Sequence, residues 1–221
     1  MPRAARYIVA NAIYHVYSRG MEHRHLFWSE KDYAKFLTKL QDLVKTTDVS
    51  VLSWALLPAT FHLLLQTKKT PLSPFMSRLL TSYAVYHNRE YERIGPLFND
   101  RYGSRIVQPG KFFLHISRYI HLAPVHAGIT PDPLRYAHTS IGEIIGDGKW
   151  KIIDPGAFEK LLKENNHTVE TFKQFLDEGI NDDLSKWDPF GGRKDSNEII
   201  LGSPRYSAGV QRQVIKEKGN E

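Results

Sequence analysis

Apolar and polar positions change their period several times along this chain, and each change predicts an element. Residues 12–19, Ala-Ile-Tyr-His-Val-Tyr-Ser-Arg, are β-branched and aromatic and stop at Gly20, which predicts a strand and a turn. From Ser29, an N-cap followed by acidic Glu30 and Asp32, the apolar residues Tyr33, Phe36, Leu37, Leu40, Leu43 and Val44 keep a helical period and predict a helix ending near Thr47. Residues 49–57 and 61–66 are short apolar runs separated by Pro58-Ala59-Thr60, the pattern of two adjacent buried strands. Ser73-Pro74 opens a second helix, with Phe75, Met76, Leu79, Leu80, Tyr83 and Tyr86 on one stripe up to about Arg93. A strand over residues 102–108 and a helix over 112–122, stopped by Pro124, complete the series.

The order βαββαβα predicts an α+β ferredoxin-like sandwich over residues 1–130, with an antiparallel sheet and its helices on one face. Pro131 and Pro133 mark a boundary, and helices are expected at 157–165 and 169–178. Residues 131–221 therefore read as a mainly helical C-terminal extension. It is rich in Gly, Ser and Lys from Gly191, and its last fifteen or so residues are expected to be flexible.

Charge sharpens this division. The formal net charge is +6, but residues 1–129 hold 17 Lys/Arg against 8 Asp/Glu while residues 130–221 hold 13 against 16. A basic body joined to a mildly acidic extension suggests a polyanionic partner, of which nucleic acid is the commonest. With no cysteine, disulfides, thiolate zinc sites and cysteine nucleophiles are excluded, which fits a reducing cytoplasm. No apolar run approaches the ~20 residues of a membrane span, so a soluble cytoplasmic protein without a membrane partner is expected.

The chain has no Gly-rich phosphate loop, no Gly-x-Ser-x-Gly elbow and no His-Glu-x-x-His helix. His23-Arg24-His25 falls in a predicted turn among basic residues and reads as a solvated loop. The informative window is residues 54–66, where alternation along a strand puts Thr60 and His62 on one side and Phe61 on the other.

Several blocks carry a resemblance. Arg3-x-x-Arg6 precedes Tyr14-His15-Val16 and Arg19-Gly20, and Phe27 precedes Asp32-Tyr33-x-x-Phe36. Then come Leu57-Pro58-x-x-Phe61-His62-Leu63-Leu64-Leu65, Gly95-Pro96-Leu97-Phe98-x-x-Arg101-Tyr102 and Arg118-Tyr119-Ile120-His121-Leu122-x-Pro124-Val125-x-Ala127-Gly128. In this order they resemble the REP-associated tyrosine transposases, a branch of the single-tyrosine HUH transposases (IS200-like). Ile200-Leu201-Gly202-Ser203 is similar to a tail motif in some members.

The resemblance implies cleavage and strand transfer of single-stranded DNA at a hairpin. A helix-borne tyrosine attacks the scissile phosphate, forming a 5′-phosphotyrosine and leaving a 3′-hydroxyl. A divalent metal, Mg²⁺ or Mn²⁺, held by a His-hydrophobic-His pair and a third ligand one turn after the tyrosine, polarises that phosphate. A phenol of pKa ~10 is a weak nucleophile at neutral pH, so this chemistry gains from the metal's charge. By position the nucleophile is Tyr119 and the second metal histidine is His62. The first histidine is replaced by Thr60, and the Asn of Tyr-x-x-x-Asn by Ala123. A neutral hydroxyl is a poor ligand for these cations and a methyl group has no donor, so the expectation is an incomplete metal site with weak or lost cleavage. His115, one turn before Tyr119, is the substitute ligand to consider.

Phosphate contacts are expected from Arg3, Arg6, Arg19, Arg24, Lys68, Lys69, Arg78, Arg101, Arg105, Lys111 and Arg118, with Tyr17, Tyr102 and Phe112 as stacking platforms for unpaired bases. Hairpin or single-stranded DNA is the expected partner, and a homodimer is compatible with the reading. Two alternatives stay open: an active transposase with unconventional metal ligands, and a ferredoxin-like module that binds RNA or protein.

Overall fold

A computed structural model describes residues 9–190 and 199–218. Arg3, Arg6 and most of the Gly/Ser/Lys-rich stretch from Gly191 lie outside the described residues.

In chain order the elements are β1 (Ile13–Arg19), α1 (Glu30–Lys45), β2 (Ser50–Leu57), β3 (Thr60–Gln66), α2 (Leu72–Glu90), β4 (Gly103–Val107), α3 (Lys111–His126), α4 (Ile141–Ile145), α5 (Pro155–Lys163), α6 (Val169–Glu178), β5 (Ile200–Leu201) and α7 (Pro204–Lys218). The sheet order is β2-β3-β1-β4-β5. The first four strands pair antiparallel, as in a ferredoxin-like sandwich, and the short β5 from the extension adds parallel to β4. Among the described residues no helix is long and apolar enough to cross a membrane.

Strand alternation builds two cores. Phe61, Leu63 and Leu65 of β3 pack with Val16, Trp54 and the apolar stripes of α1 and α2. Leu64, with Leu52 and Ala55 of β2, packs on the other face against Ile116, Ile120 and Leu122 of α3 and against Phe158 and Phe172 of the extension. Each fully buried Leu or Phe contributes roughly 1.5–3 kcal/mol of transfer free energy, so both faces are apolar commitments. The expectation that the helices share one face is therefore corrected: α3 crosses to the side opposite α1 and α2, because its buried residues match the second core.

Two further expectations are corrected. Pro124 does not stop α3, which continues to His126, because a proline removes only its own N–H while Ala127 N still donates to Ala123 O at 3.0 Å. The closing residues are not a loose tail: α7 spans Pro204–Lys218, and Val210 and Val214, one helical turn apart, are buried in the first core. Its start is tied down by Ser203, whose carbonyl accepts Ser207 N at 2.9 Å.

Candidate functional site

Register decides which side chains meet on the α3 face. β1 places Tyr17 opposite His62 and Arg19 opposite Thr60, with His15 one pleat further along. β4 places Gly103 opposite Tyr17 and Arg105 opposite His15. Gly103 leaves room for the Tyr17 ring lying across the strand, which would have to shift if a Cβ stood there. Helix α3 is pinned over β2 by a 2.7 Å contact between the Ser53 and Ser117 hydroxyls. Tyr119 and, one turn later, Ala123 then face β3.

The rings of His62 and Tyr119 lie 5.4 Å apart, edge to face, and His15 is 5.9 Å from Tyr119. His15 Nε2 lies 3.2 Å from His62 Nδ1, so the two imidazoles are hydrogen-bonded. Loop residues before the undescribed stretch close the far side. The Tyr119 hydroxyl donates to Asp188 Oδ1 at 3.3 Å, and Phe190 packs against Tyr17 and His62 with the Arg19 guanidinium 5.5 Å from its centroid. Between these groups is a cleft of about 340 Å³, lined by Thr60, His62, Tyr119, Ala123, Asp183 and Asp188 among others.

The electrostatics keep this cluster uncharged. Burial, aided by Arg105, pushes His62 down to about 3, and burial with the His62 and Arg105 charges puts His15 well below its ordinary value. Burial, then the Asp188 carboxylate, raises the Tyr119 phenol well above 10. At neutral pH both imidazoles and the phenol are neutral.

These residues do not fit the three-ligand metal centre that the resemblance implies. His62 offers the cleft one nitrogen, Thr60 a neutral hydroxyl and Ala123 nothing. Among the described residues no group of three His, Cys, Asp or Glu is arranged to hold a metal. His115 does not replace the missing ligands: it stacks on Trp187 at 5.3 Å and is not part of the cleft wall.

The DNA-contact candidates separate by burial. Arg24, Lys68, Lys69, Arg78, Arg101 and Lys111 are exposed, and Arg19 and Tyr17 are half-buried against Phe190. Arg24 shares its charge with Glu22 at 2.9 Å. Three expectations are corrected. Arg105 is buried and donates to Trp187 O, and Arg118 is buried against the Phe175 ring, bonded to Phe175 O and Asp182. Tyr102 is buried with its hydroxyl 3.2 Å from Ser73 Oγ, so it is part of the packing of β4 against α2. In each case the sequence gives residue type but not the extension or helix that covers it. Sequence reading also passed over His15, Asp188 and Phe190. His15 was legible as the residue at i−2 from Tyr17 on one strand face, whereas nothing local ties Asp188 to a tyrosine 69 positions earlier.

The sequence model of the IS200-like transposases matches residues 8–122, and the chain belongs to this family. Its fold is similar to that of a REP-associated tyrosine transposase solved bound to a REP hairpin. The TM-score is 0.59 at 13% identity, over 69% of this chain and 90% of that one. At this identity the likeness speaks for the fold alone. A structure from Deinococcus radiodurans R1, described as a transposase, is similar at 19% identity over 49% of this chain and 85% of its own, with a TM-score of 0.37 too low to argue from. No curated protein matches the sequence.

Proposed function

We propose that this transposase-family chain binds hairpin or single-stranded DNA through the basic part of residues 1–130, seating a phosphodiester in the cleft beside Tyr119. The metal centre is too incomplete for full strand cleavage, and the protein works chiefly as a DNA binder in the cytoplasm. The observation that carries the reading is the pairing of His62 and Tyr119, 5.4 Å apart, on a cleft whose other metal positions hold Thr60 and Ala123. Exposed Arg24, Lys68, Lys69, Arg78, Arg101 and Lys111 supply phosphate contacts that do not depend on the metal site. Strand transfer would need the Tyr119 Oη–P bond to form as the P–O3′ bond breaks. A buried phenol whose pKa stands well above 10 supplies very little phenolate for that attack, which favours slow chemistry.

Fluorescence anisotropy with a labelled hairpin and a labelled single strand at two salt concentrations tests the reading. Binding should weaken steeply with salt, because each phosphate contact releases counterions. Cleavage with Mg²⁺ or Mn²⁺ should be slight, and Tyr119→Phe should abolish any covalent adduct while leaving affinity within about twofold, since it removes only a hydroxyl from the cleft. Failure to bind any oligonucleotide at low salt would overturn the proposal, as would brisk metal-dependent cleavage by the unaltered chain.

A further inference from the structure

His62 has one nitrogen committed inside the protein, and its neighbour decides what the other carries. His62 Nδ1 is the atom that meets His15 Nε2 at 3.2 Å, which leaves Nε2 for the cleft. Both rings are almost wholly buried, which disfavours the charged form, and a neutral imidazole has one N–H and one lone-pair nitrogen. Two arrangements therefore satisfy the contact. In the first, His62 donates from Nδ1, its Nε2 presents a lone pair, and His15 must carry its own proton on Nδ1. In the second, His15 donates from Nε2, its Nδ1 is bare, and His62 carries its proton on Nε2 at the cleft.

The surroundings of His15 discriminate between them. Its ring is fully buried, and its Nδ1 has no hydrogen-bond partner among the described residues. The first arrangement strands a polarised N–H at that position, and orphaned buried N–H groups are rare in folded proteins. The second leaves only a bare nitrogen there.

We infer that His15 fixes His62 in the tautomer that presents an N–H to the cleft, so that His62 hydrogen-bonds a phosphodiester oxygen instead of ligating a divalent cation. His15 is a positioning residue that never touches the DNA. The inference rests on the cleft being a phosphodiester site, but its first half concerns the free protein alone.

The test is nuclear magnetic resonance on the ¹⁵N-labelled full chain, using long-range ¹H–¹⁵N correlations to read both nitrogens of each histidine. His62 is expected protonated at Nε2 and bare at Nδ1. Mn²⁺ alone should broaden His62 no more than His121, whose two nitrogens are already held by Ser117 O and Ser140 Oγ. A single-stranded oligonucleotide should shift the His62 Nε2 proton and leave His121 unmoved, while inorganic phosphate shows whether the anion suffices. A lone pair at His62 Nε2, or selective broadening by Mn²⁺, would overturn the inference and leave the DNA-binding function standing. Oligonucleotide binding that leaves the Nε2 proton unmoved would overturn its second half, and no binding at all would remove the functional reading together with that half. In anisotropy, His62→Ala should weaken single-strand binding about tenfold, the usual scale for a hydrogen bond to a charged acceptor. His62→Gln, which offers an amide N–H at similar reach, should restore most of it, and equal affinity in all three chains would count against the inference.

Discussion

On each face of the sheet a tyrosine hydroxyl meets a carboxylate, and the two meetings differ in how many donors they recruit. Under α1 and α2, Asp32 is fully buried and accepts from Tyr91 Oη at 2.6 Å, Tyr86 Oη at 2.9 Å, Trp28 N at 2.8 Å, and Ser29 N and Oγ at 2.9 and 3.2 Å. Burial alone would raise its pKa, but these bonds outweigh it and hold the carboxyl below 3.8. On the α3 face, Asp188 is half-buried and takes one 3.3 Å bond from Tyr119 and the amide of Phe190 at 2.8 Å. A carboxylate whose lone pairs are all taken is a structural tie. One with two donors, the longer bond being the tyrosine's, at the wall of a cleft leaves that tyrosine addressable by another group, and this is the difference between a capping box and an open cleft.

Rebuilding the open side should produce the largest change. Thr60→His with Ala123→Asn returns one donor at strand spacing from His62 and another one helical turn after Tyr119. Mn²⁺-dependent cleavage of a hairpin substrate should then rise by up to about a thousandfold, the equivalent of ~4 kcal/mol of transition-state stabilisation, once three donors together outweigh the His15 contact that keeps the proton on His62 Nε2. A gel assay that shows no gain would mean that the open face lacks more than ligands. Next comes the closed side: Asp32→Ala strands several donors at once and should cost about 3 kcal/mol in urea unfolding.

Acid sharpens the same contrast. Because the folded-state pKa of Asp32 is depressed, its contribution is fully present above the unfolded value near 3.8 and is lost as pH falls through the folded one. The urea midpoints of the parent and Asp32→Ala chains should therefore converge below about pH 4. Parallel midpoints down to acid would show that the carboxylate is not the tie. The smallest effect is expected for Asp188→Ala, under about 1 kcal/mol, because its two bonds, the tyrosine's a long one, are made by a partly exposed group and are worth little net. A cost equal to that of Asp32→Ala would erase the distinction.

How much of this was legible depends on the range of the interaction. The four principal strands and three principal helices follow from local period and punctuation, and the placement of Thr60 and His62 on one face follows from alternation alone. The face on which α3 packs was not legible, because its buried stripe fits either side and the choice belongs to the Phe158 and Phe172 partners supplied by the extension. Pro124 misled because a proline near a helix end forfeits only one bond. The closing helix was missed because Val210 and Val214 are two apolar residues in a polar stretch, too sparse a stripe to weigh before the sheet edge they cover is known. Arg105 and Arg118 read as solvent-facing cations for the same reason: their acceptors, Trp187 O and Asp182, are contributed from more than sixty positions away.

The extension also touches both rims of the sheet. Thr139 and Ile153 bridge to Ala55 and Val51 on the β2 side, while Ile200 and Leu201 pair with β4 on the other. One segment of chain thus hems both borders of a four-stranded sheet, β2 and β4. Removing it would bare a row of backbone donors and acceptors at each border of a single unit. Such a unit has two different adhesive ends and no symmetry requirement to close on itself, so its copies would add head to tail into an open fibre. The same stretch of polypeptide that walls the cleft is thereby also what keeps the sheet finite.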